Sequence, residues 1–589
     1  MESLDRSVIL PEPNLPDATE LLSEGRALAR TFSVGHCPFL STYDVTSESD
    51  YKRRRMAERA LMFHAQFGYR NFDKSRSAYS EIYERVATAG YRIDRYGICL
   101  DWSMGYPASR RAEMPRGTGL ILDAEEDFHT LTQGSPVAPH FGDFVMGTPA
   151  SVENTSAALT AGSTSIGNLG QYFTFRMPKW DDDVGTTAET VKAMALCAAQ
   201  PVEILIHSNL DDGFAALFTD MACGIGAVLI ERYIVEELIG GHVSHCYGHV
   251  FSDPGTRLAF QRALAQTTET PGSMVYGNTT IFVENEVENY ANLASYLLVD
   301  CVAQNTLPTG HGLNPVPVTE ALRIPAIDEI VNAHLFANRL ATRSAGFETM
   351  FDLDAINRIT DRLVDGGRRF KTRVLDGLAE SGIDTANPFE LLLSIRRLGA
   401  KRLEELWGPG QERDGVLRKR EPVVRATTVA ALEAQGTTLA ETLSDNERNA
   451  IRTAGLIGCV TCTDVHEYGK LLAETVLVQV GVKVEDAGVS TDPDVVANHA
   501  RLNSVHFIAV STYNGVALTY LRSLRSELDR LGVDVPVFIG GKLNEVPVDS
   551  MSSMPVDVTD ELRTAGAVVC NRMEDMLTEL VKMTEGAMP

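Results

Sequence analysis

Three short segments near the end of the chain each directly follow an apolar run with the composition of a buried strand. The runs are Leu456–Val460, Val505–Val510 and Val535–Ile539, and the segments after them are rich in Asp, His, Ser and Gly. Helical stretches separate the runs, so the strands are predicted to be parallel, with these segments at their carboxyl ends, where open α/β sheets bind ligands. The sequence therefore predicts a flavodoxin-like or Rossmann-like ligand-binding domain over residues 451–589.

A similar alternation of strand-like and helical segments fills residues 115–345. Its short apolar runs include Val202–Ile206, Gly226–Ile230, Ser273–Phe282 and Tyr296–Ala303. Enough βα units fit here for a (β/α)8 TIM-type barrel, whose active site lies at the C-terminal ends of the strands. An open doubly wound sheet has the same local pattern. Residues 1–114 are predicted to be a mainly helical N-terminal region, and residues 346–450 a helical region and linker.

The composition limits the classes of partner. A formal charge of −26 over 589 residues argues against nucleic acid and against an anionic membrane, because both require a basic footprint. No run of about 18 apolar residues predicts a membrane span. The nine scattered cysteines and an N-terminus without signal-peptide features favour reduced thiols in the cytoplasm. We expect a soluble cytoplasmic enzyme with a small-molecule substrate, and a homodimer as the commonest symmetric assembly.

The segments after the three C-terminal strands form an ordered motif. Asp464, His466 and Gly469 are followed after 41 residues by Ser511, and Tyr513 is followed after 26 residues by Gly540-Gly541. In sequence and spacing this resembles the cobalamin-binding domain shared by glutamate mutase, methylmalonyl-CoA mutase and methionine synthase. That signature is Asp-x-His-x-x-Gly, then Ser-x-Leu or Ser-x-Thr, then Gly-Gly. The resemblance implies cobalamin as the cofactor.

The chemistry of each residue type agrees with the role that the resemblance implies. An imidazole, His466, would be the lower axial ligand of cobalt, and the Asp464 carboxylate would accept the other ring N–H. Gly469 and Gly540-Gly541 would let the backbone approach the nucleotide tail of the cofactor, and Ser511 would hydrogen-bond its base. Tyr513 departs from the pattern, because it is bulkier than the usual Leu or Thr.

Residues 140–400 more distantly resemble the large subunit of glutamate mutase. Gly147-Thr148-Pro149 matches that family's Arg-His-Gly-Thr-Pro loop, and two later loops around Ala161–Gly167 and Thr309-x-His311 also match. The resemblance implies that both subunits are fused in one chain. Val145 replaces the family's arginine for the substrate carboxylate, and Gly167 replaces its glutamate for the substrate amine, so glutamate is not the expected substrate.

The candidate catalytic residues follow predicted barrel strands or match family loops. They are Arg176, Tyr172, His207, Tyr276 and His311. Arg176 could hold a carboxylate or thioester carbonyl, or could pair with Asp181–Asp183. Three further groups are weaker candidates: His140 with Asp143, Tyr276 with Asn278, and a weak zinc pattern at His245 and His249.

The resemblance implies an adenosylcobalamin-dependent radical isomerase that acts on a small acid or modified amino acid. A methylcobalamin-dependent methyltransferase is the first alternative. A non-catalytic cobalamin sensor or carrier is the second.

Overall fold

The computed structural model describes residues 4–248, 253–277, 282–320, 322–414, 416–464, 467–547 and 555–585. The chain divides into two compact units. One unit comprises Met1–Phe173 and Asp181–Thr427, and the other comprises Thr174–Trp180 and Thr428–Pro589. Within the described ranges, no helix combines the length and the apolar character that crossing a bilayer requires.

The first unit contains a nearly closed eight-stranded parallel barrel, as predicted. Its strands are β1 (Met62–Phe67), β2 (Arg95–Ile98), β3 (Ala138–Phe141), β4 (Ser165–Ile166), β5 (Leu205–Asn209), β6 (His242–Tyr247), β7 (Met274–Val275) and β8 (Gly312–Leu313). Each strand pairs with its neighbour in the chain from β1 to β7, and β8 returns to pair with β1. Thr309 bridges the remaining gap, because its hydroxyl donates to the carbonyl of Ser273 at 2.7 Å and its own carbonyl accepts from Gly272 at 2.6 Å.

Helices alternate with these strands and continue after the barrel. Those of the first unit are α1 (Arg6–Ile9), α2 (Ala18–Leu28), α3 (Pro38–Tyr43), α4 (Glu48–Ala57), α5 (Phe72–Thr88), α6 (Ala108–Arg111), α7 (Glu125–Thr132), α8 (Ser151–Thr160), α9 (Gln171–Thr174, which ends in the second unit), α10 (Asp183–Ala198), α11 (Met221–Arg232), α12 (Pro254–Thr267), α13 (Glu286–Thr306), α14 (Ile327–Ala341), α15 (Leu353–Glu380) and α16 (Pro388–Trp407). A π-helical segment, Tyr233–Ile239, extends α11. Short 3-10 turns occur at Trp102–Gly105, Ala215–Leu217, Phe347–Met350 and Leu417–Lys419.

The barrel begins earlier than the sequence analysis places it. Strands β1 and β2 lie inside residues 1–114, which were predicted to be mainly helical, so that boundary is wrong. The cause is that polar residues interrupt both strands: buried His64 and exposed Gln66 alternate with apolar residues in β1, and buried Arg95 opens β2, so neither strand is a continuous apolar run. Conversely, two of the short apolar runs lie in buried helices: Gly226–Ile230 in α11 and Tyr296–Ala303 in α13. The periodicity of a short apolar run does not distinguish a buried helix from a buried strand.

The two long helices after the barrel pack closely on it. Gly226 of α11 and Gly367 of α15 face each other, and a Cβ atom on Gly367 would lie 2.7 Å from Ile225. Phe370 of α15 occupies the space over Gly226, where a Cβ would meet its ring atoms at 2.5 Å. Small residues therefore allow α15 to approach α11 at short range.

The second unit contains a five-stranded parallel sheet in the order β10-β9-β11-β12-β15. Its strands are β9 (Ile457–Cys462), β10 (Lys483–Val489), β11 (Phe507–Thr512), β12 (Val537–Gly541) and β15 (Val568–Cys570), with a separate antiparallel pair β13 (Asn544–Glu545) and β14 (Val556–Asp557). Its helices are α17 (Thr427–Ala440), α18 (Asp445–Ala454), α19 (Tyr468–Val480), α20 (Pro493–Leu502), α21 (Ala517–Leu531), α22 (Thr559–Thr564) and α23 (Met573–Glu585). Alternate residues of β9 and β11 enter two separate apolar clusters, so both faces of the sheet are covered. This is the predicted flavodoxin-like arrangement.

A buried carboxylate joins α16 to the loop before α11. Glu404 accepts hydrogen bonds from the backbone N–H groups of Thr219 at 2.9 Å and Asp220 at 2.8 Å. Burial raises the pKa of Glu404 to about 7, although these donors oppose the rise. A glutamate has an ordinary pKa of 4.5, so the folded state holds the proton more tightly than the unfolded state. The stabilisation from Glu404 is complete below about pH 4.5 and is lost as the pH rises through about 7.

We predict that Glu404→Gln changes how stability depends on pH. The free energy of unfolding of the wild type, relative to the variant, should fall by roughly 2–3 kcal/mol between pH 5 and pH 8, because glutamine does not titrate. Urea unfolding at the two pH values measures this difference. Glu405→Gln, at a more exposed position on the same helix, is the control and should show no such fall. Parallel pH curves for wild type and Glu404→Gln would contradict the assignment.

Candidate functional site

The amino-terminal end of the barrel is filled by charged side chains of α4. This helix begins after Ser47, whose hydroxyl accepts from the N–H of Asp50, and it buries Glu48 and Lys52. The Glu48 carboxylate lies 3.1 Å from the Lys52 ammonium and 2.8 Å from Nε of Arg95. Lys52 also donates to the carbonyl of Gly310 at 3.0 Å, which ties α4 to the segment before β8. One carboxylate, that of Glu48, is thus shared by two basic groups and compensates one of their two positive charges.

Arg95 carries the charge of this cluster into the barrel interior. Its guanidinium approaches Nδ1 of His64 at 3.1 Å and donates to the Ser165 hydroxyl at 3.2 Å. Because a guanidinium can only donate, Nδ1 of His64 must accept, and a neutral His64 therefore carries its proton on Nε2. Burial, and then the nearby Arg95 charge, hold the pKa of His64 well below its usual range. His64 is thus a fixed hydrogen-bond donor at Nε2.

His140 on β3 has the opposite tautomer. Its Nδ1 lies 2.9 Å from the backbone carbonyl of Ser165 and so donates to it, which leaves the Nε2 lone pair as an acceptor. The ring contacts that of His207 edge to face, with centroids 4.8 Å apart. Burial and Arg95 hold the pKa values of His140 and His207 well below their usual range. We call His64, His140 and His207 the histidine layer.

The Nε2 edges of two of these rings pack against glycines, where a larger residue would not fit. A Cβ on Gly97 would lie 2.9 Å from Nε2 of His64. A Cβ on Gly142 would lie 3.1 Å from Nε2 of His140, and one on Gly167 would lie 3.1 Å from Cε1 of the same ring. Gly142 and Gly167 directly follow β3 and β4, so the Nε2 edge of His140 lies toward the carboxyl ends of the strands, where barrels place their active sites.

Acidic and phenolic groups lie beyond the histidine layer, at these strand ends. The rings of Tyr276 and His64 are 6.2 Å apart. Burial, together with Cys99, Asp143 and Glu320, raises the pKa of Tyr276 well above its usual range. Gln171 donates to the Asp143 carboxylate at 3.2 Å. The barrel interior is therefore basic near α4 and acidic near the strand ends.

The predicted catalytic residues fall into two groups. His207 and Tyr276 line the interior with the histidine layer, and the pKa of the buried His311 is lowered by burial and then by Lys52. Tyr172 instead packs outward, with its hydroxyl 2.7 Å from that of Thr187 on α10. Arg176 is exposed and belongs to the segment grouped with the second unit.

The sequence left two alternatives open, an ion pair of Arg176 with Asp181–Asp183 and a zinc pattern at His245 and His249. Asp183 pairs with Arg397, not with Arg176, among the residues that the structure describes. His245 pairs with Glu231 at 2.7 Å between β6 and α11. His249 and Asn278 lie outside the described residues.

Four residues of the barrel interior were not identified from the sequence: His64, Arg95, Glu48 and Lys52. A period of two in β1, with polar His64 and Gln66 between apolar neighbours, is the signal that could have identified that strand. Lys52 opens the basic run Lys52–Arg55, and its ammonium group forms an internal ion pair with Glu48.

The predicted cofactor-binding segments meet at one edge of the second sheet. Cys462 of β9 is in register with Ser511 of β11, and Ser511 is in register with Gly540 of β12. The N–H of Thr463 donates to the carbonyl of Ser511 at 3.0 Å, which links the first two segments. Asp464 is buried beside them, whereas His466 lies outside the described residues.

Two glycines of the motif stand where a side chain does not fit. A Cβ on Gly469, in the first turn of α19, would lie 2.5 Å from the Ser511 hydroxyl oxygen. Gly541 has φ +96°, and a Cβ there would lie 2.3 Å from the carbonyl oxygen of Thr512. Tyr513, the departure from the motif, is partly exposed beside them. The edge thus presents backbone and small side chains, which suits a flat or extended ligand.

No protein-family model matches the chain. It is 31% identical over 107 residues to the methylmalonyl-CoA mutase large subunit of Propionibacterium freudenreichii subsp. shermanii, which covers 18% of this chain and 14% of that protein. It is 33% identical over 89 residues to glutamate mutase sigma subunit 1 of Haloarcula marismortui, which covers 15% of this chain and 56% of that protein. The chain thus spans less than two thirds of either relative.

A solved structure, a cobalamin-binding protein from Desulfitobacterium hafniense DCB-2, is 18% identical and has a TM-score of 0.19. The match covers 27% of this chain and 82% of that one. Stretches of this chain are thus similar in sequence to subunits of two different mutases.

Proposed function

We propose that this chain binds cobalamin in its second unit and is a radical carbon-skeleton isomerase of the adenosylcobalamin type. The substrate would be a small acid or modified amino acid other than glutamate. The observation that carries the proposal is the convergence of Asp464, Gly469, Ser511 and Gly540-Gly541 at one sheet edge. The partial similarity to two mutases supports the same class of reaction.

The residues at this edge fit the cofactor. Cobalamin with a displaced nucleotide tail needs an imidazole ligand, a partner for that imidazole and a path lined by backbone. His466 would supply the imidazole and Asp464, two residues earlier, would accept its other ring N–H and so fix its tautomer. Gly469 would keep the place beside Ser511 free of a side chain, since a Cβ there would lie 2.5 Å from the Ser511 hydroxyl oxygen.

The barrel would supply the substrate side of the reaction. When bound, adenosylcobalamin supplies a carbon-centred radical through homolysis of its cobalt–carbon bond. The chain's own task is to hold the substrate, orient the reacting hydrogen and exclude water. The buried histidine layer suits this task, because its neutral rings offer polar contacts at fixed positions without a mobile charge.

The identity of the axial ligand gives the first prediction. In the wild type, the low-spin Co(II) signal of reduced cobalamin should show splitting by a nitrogen nucleus, and the triplet should become a doublet when histidine is labelled with 15N. His466→Ala should lose this response, because no protein imidazole then reaches cobalt. His499→Ala, an alternative histidine of the second unit, is the control and should keep it. If the nitrogen splitting in the wild type does not change with the 15N label, His466 is not the axial ligand.

The packing of Gly469 gives the second prediction. Gly469→Ala should weaken cobalamin binding by at least tenfold and lower the melting temperature, since the new methyl group meets the Ser511 hydroxyl. The double variant Gly469→Ala/Ser511→Ala should recover the stability but not the affinity, because the methyl group still narrows the path of the nucleotide tail. Calorimetry and absorbance titration measure the two quantities. Recovery of both would make the glycine a packing residue only.

The class of reaction gives the third prediction. A panel of small carboxylic and amino acids, mixed with protein and adenosylcobalamin, should contain a compound that produces a Co(II) signal coupled to an organic radical. L-Glutamate should produce none, because Val145 and Gly167 replace the family's charged contacts. Transfer of a methyl group from methylcobalamin to a thiol, without any radical signal, would favour a methyltransferase.

A further inference from the structure

We propose that His64 and His140 form a subsite for a carboxylate that carries a hydrogen-bond donor on the adjacent carbon, such as a hydroxyl or an amino group. The inference deepens the proposed function by naming a part of the substrate and the residues that bind it. It does not depend on the cofactor, because every residue involved lies in the barrel.

The charges around the histidine layer call for an anion. Lys52 and Arg95 are cations buried beside one carboxylate, that of Glu48. The next carboxylate, Asp94, is already paired with Arg92 at 2.7 Å. These five groups are three cations and two carboxylates. One of the three cations therefore has no carboxylate of its own among them. An uncompensated buried charge is costly, and a bound carboxylate would compensate it.

The tautomers decide how that carboxylate is oriented. His64 offers the Nε2–H donor, since Arg95 occupies its Nδ1. A carboxylate oxygen accepts from this N–H. His140 offers only a lone pair at Nε2, since its Nδ1 donates to Ser165, and a carboxylate oxygen would be repelled there.

A donor on the neighbouring carbon of the ligand resolves this mismatch. The two rings are neighbours in the barrel: Gly97 is in register with His140 on β3 and packs against the Nε2 edge of His64, and His64 is among the groups that lower the pKa of His140. In a 2-hydroxy or 2-amino acid, the carboxylate is the acceptor and the hydroxyl or amino group on the adjacent carbon is the donor. It can therefore accept from His64 and donate to His140 at once.

The test uses the full chain without cobalamin and three probes of similar size. Propionate has only the carboxylate, L-lactate adds a hydroxyl, and L-alanine adds an ammonium group. Binding is measured by calorimetry and by the shifts of 15N-labelled histidine. We expect L-lactate or L-alanine to bind roughly three- to tenfold more tightly than propionate, which is the effect of one added hydrogen bond. The probe that binds more tightly identifies the donor.

Asparagine variants remove one ring edge at a time. In His140→Asn the side-chain amide can still donate to Ser165, but nothing replaces the Nε2 acceptor. The preference over propionate should disappear and propionate binding should remain. In His64→Asn the amide oxygen can still accept from Arg95, but the Nε2–H donor is lost. All three probes should then bind at least tenfold more weakly.

Three outcomes would overturn the proposal. They are equal affinity for the three probes, a preference that survives in His140→Asn, and no saturable binding of any probe. The 15N shifts of the wild type give an independent check that needs no variant to fold: His64 must be protonated at Nε2 and His140 at Nδ1. Loss of this subsite would leave the His466 experiment unaffected, so the two proposals fail separately.

Discussion

The ion pair between Arg95 and Glu48 is the interaction on which the barrel interior depends. Barrel interiors are usually filled by branched apolar side chains, and a guanidinium in such a place requires a partner. Glu48 supplies it from α4 at a distance of 2.8 Å, and so the helix before β1 becomes part of the barrel core. Through its other nitrogen atoms, Arg95 then fixes the ring of His64 and reaches Ser165 on β4. One buried cation thus organises α4, β1, β2 and β4.

Three of the five strands in the main sheet of the second unit could be predicted from the sequence. β9, β11 and β12 are apolar runs followed by polar or glycine-rich turns, and each predicted run matches the observed strand to within about two residues. β10, whose sequence is largely polar, and the short β15 were not predicted. The predicted site residues, apart from His466, gather at one sheet edge because parallel strands align their carboxyl ends. Here a single local rule, hydrophobic strand followed by functional turn, governs both fold and site. What the sequence did not indicate is the contact between Gly469 and Ser511, which depends on how α19 approaches β11.

The first unit shows where such a rule fails. The barrel fold was predicted, but β1 and β2 were not, because their buried positions carry His64 and Arg95 where the rule expects apolar side chains. These polar side chains also form the candidate site. The residues proposed to act in function are therefore the ones that hid the two strands from prediction. Tyr172 was selected for its place after a strand, yet its hydroxyl faces Thr187 on a surrounding helix. Sequence position identifies a strand end, but it does not decide toward which side of the sheet a side chain points.

The tautomer of a histidine ring cannot be predicted from the sequence, because it depends on the hydrogen-bond partner that the fold supplies. His64 and His140 are the same residue type on nearby strands, yet a guanidinium behind one and a carbonyl behind the other give their Nε2 edges opposite character. The partner that sets each ring lies on the side away from the glycines, so residues that never touch a ligand determine what the ligand meets. A change at Glu48 would act on ligand binding through Arg95 and then through His64, two side chains away. Selectivity in such a barrel is therefore a property of its buried charges as much as of its lining.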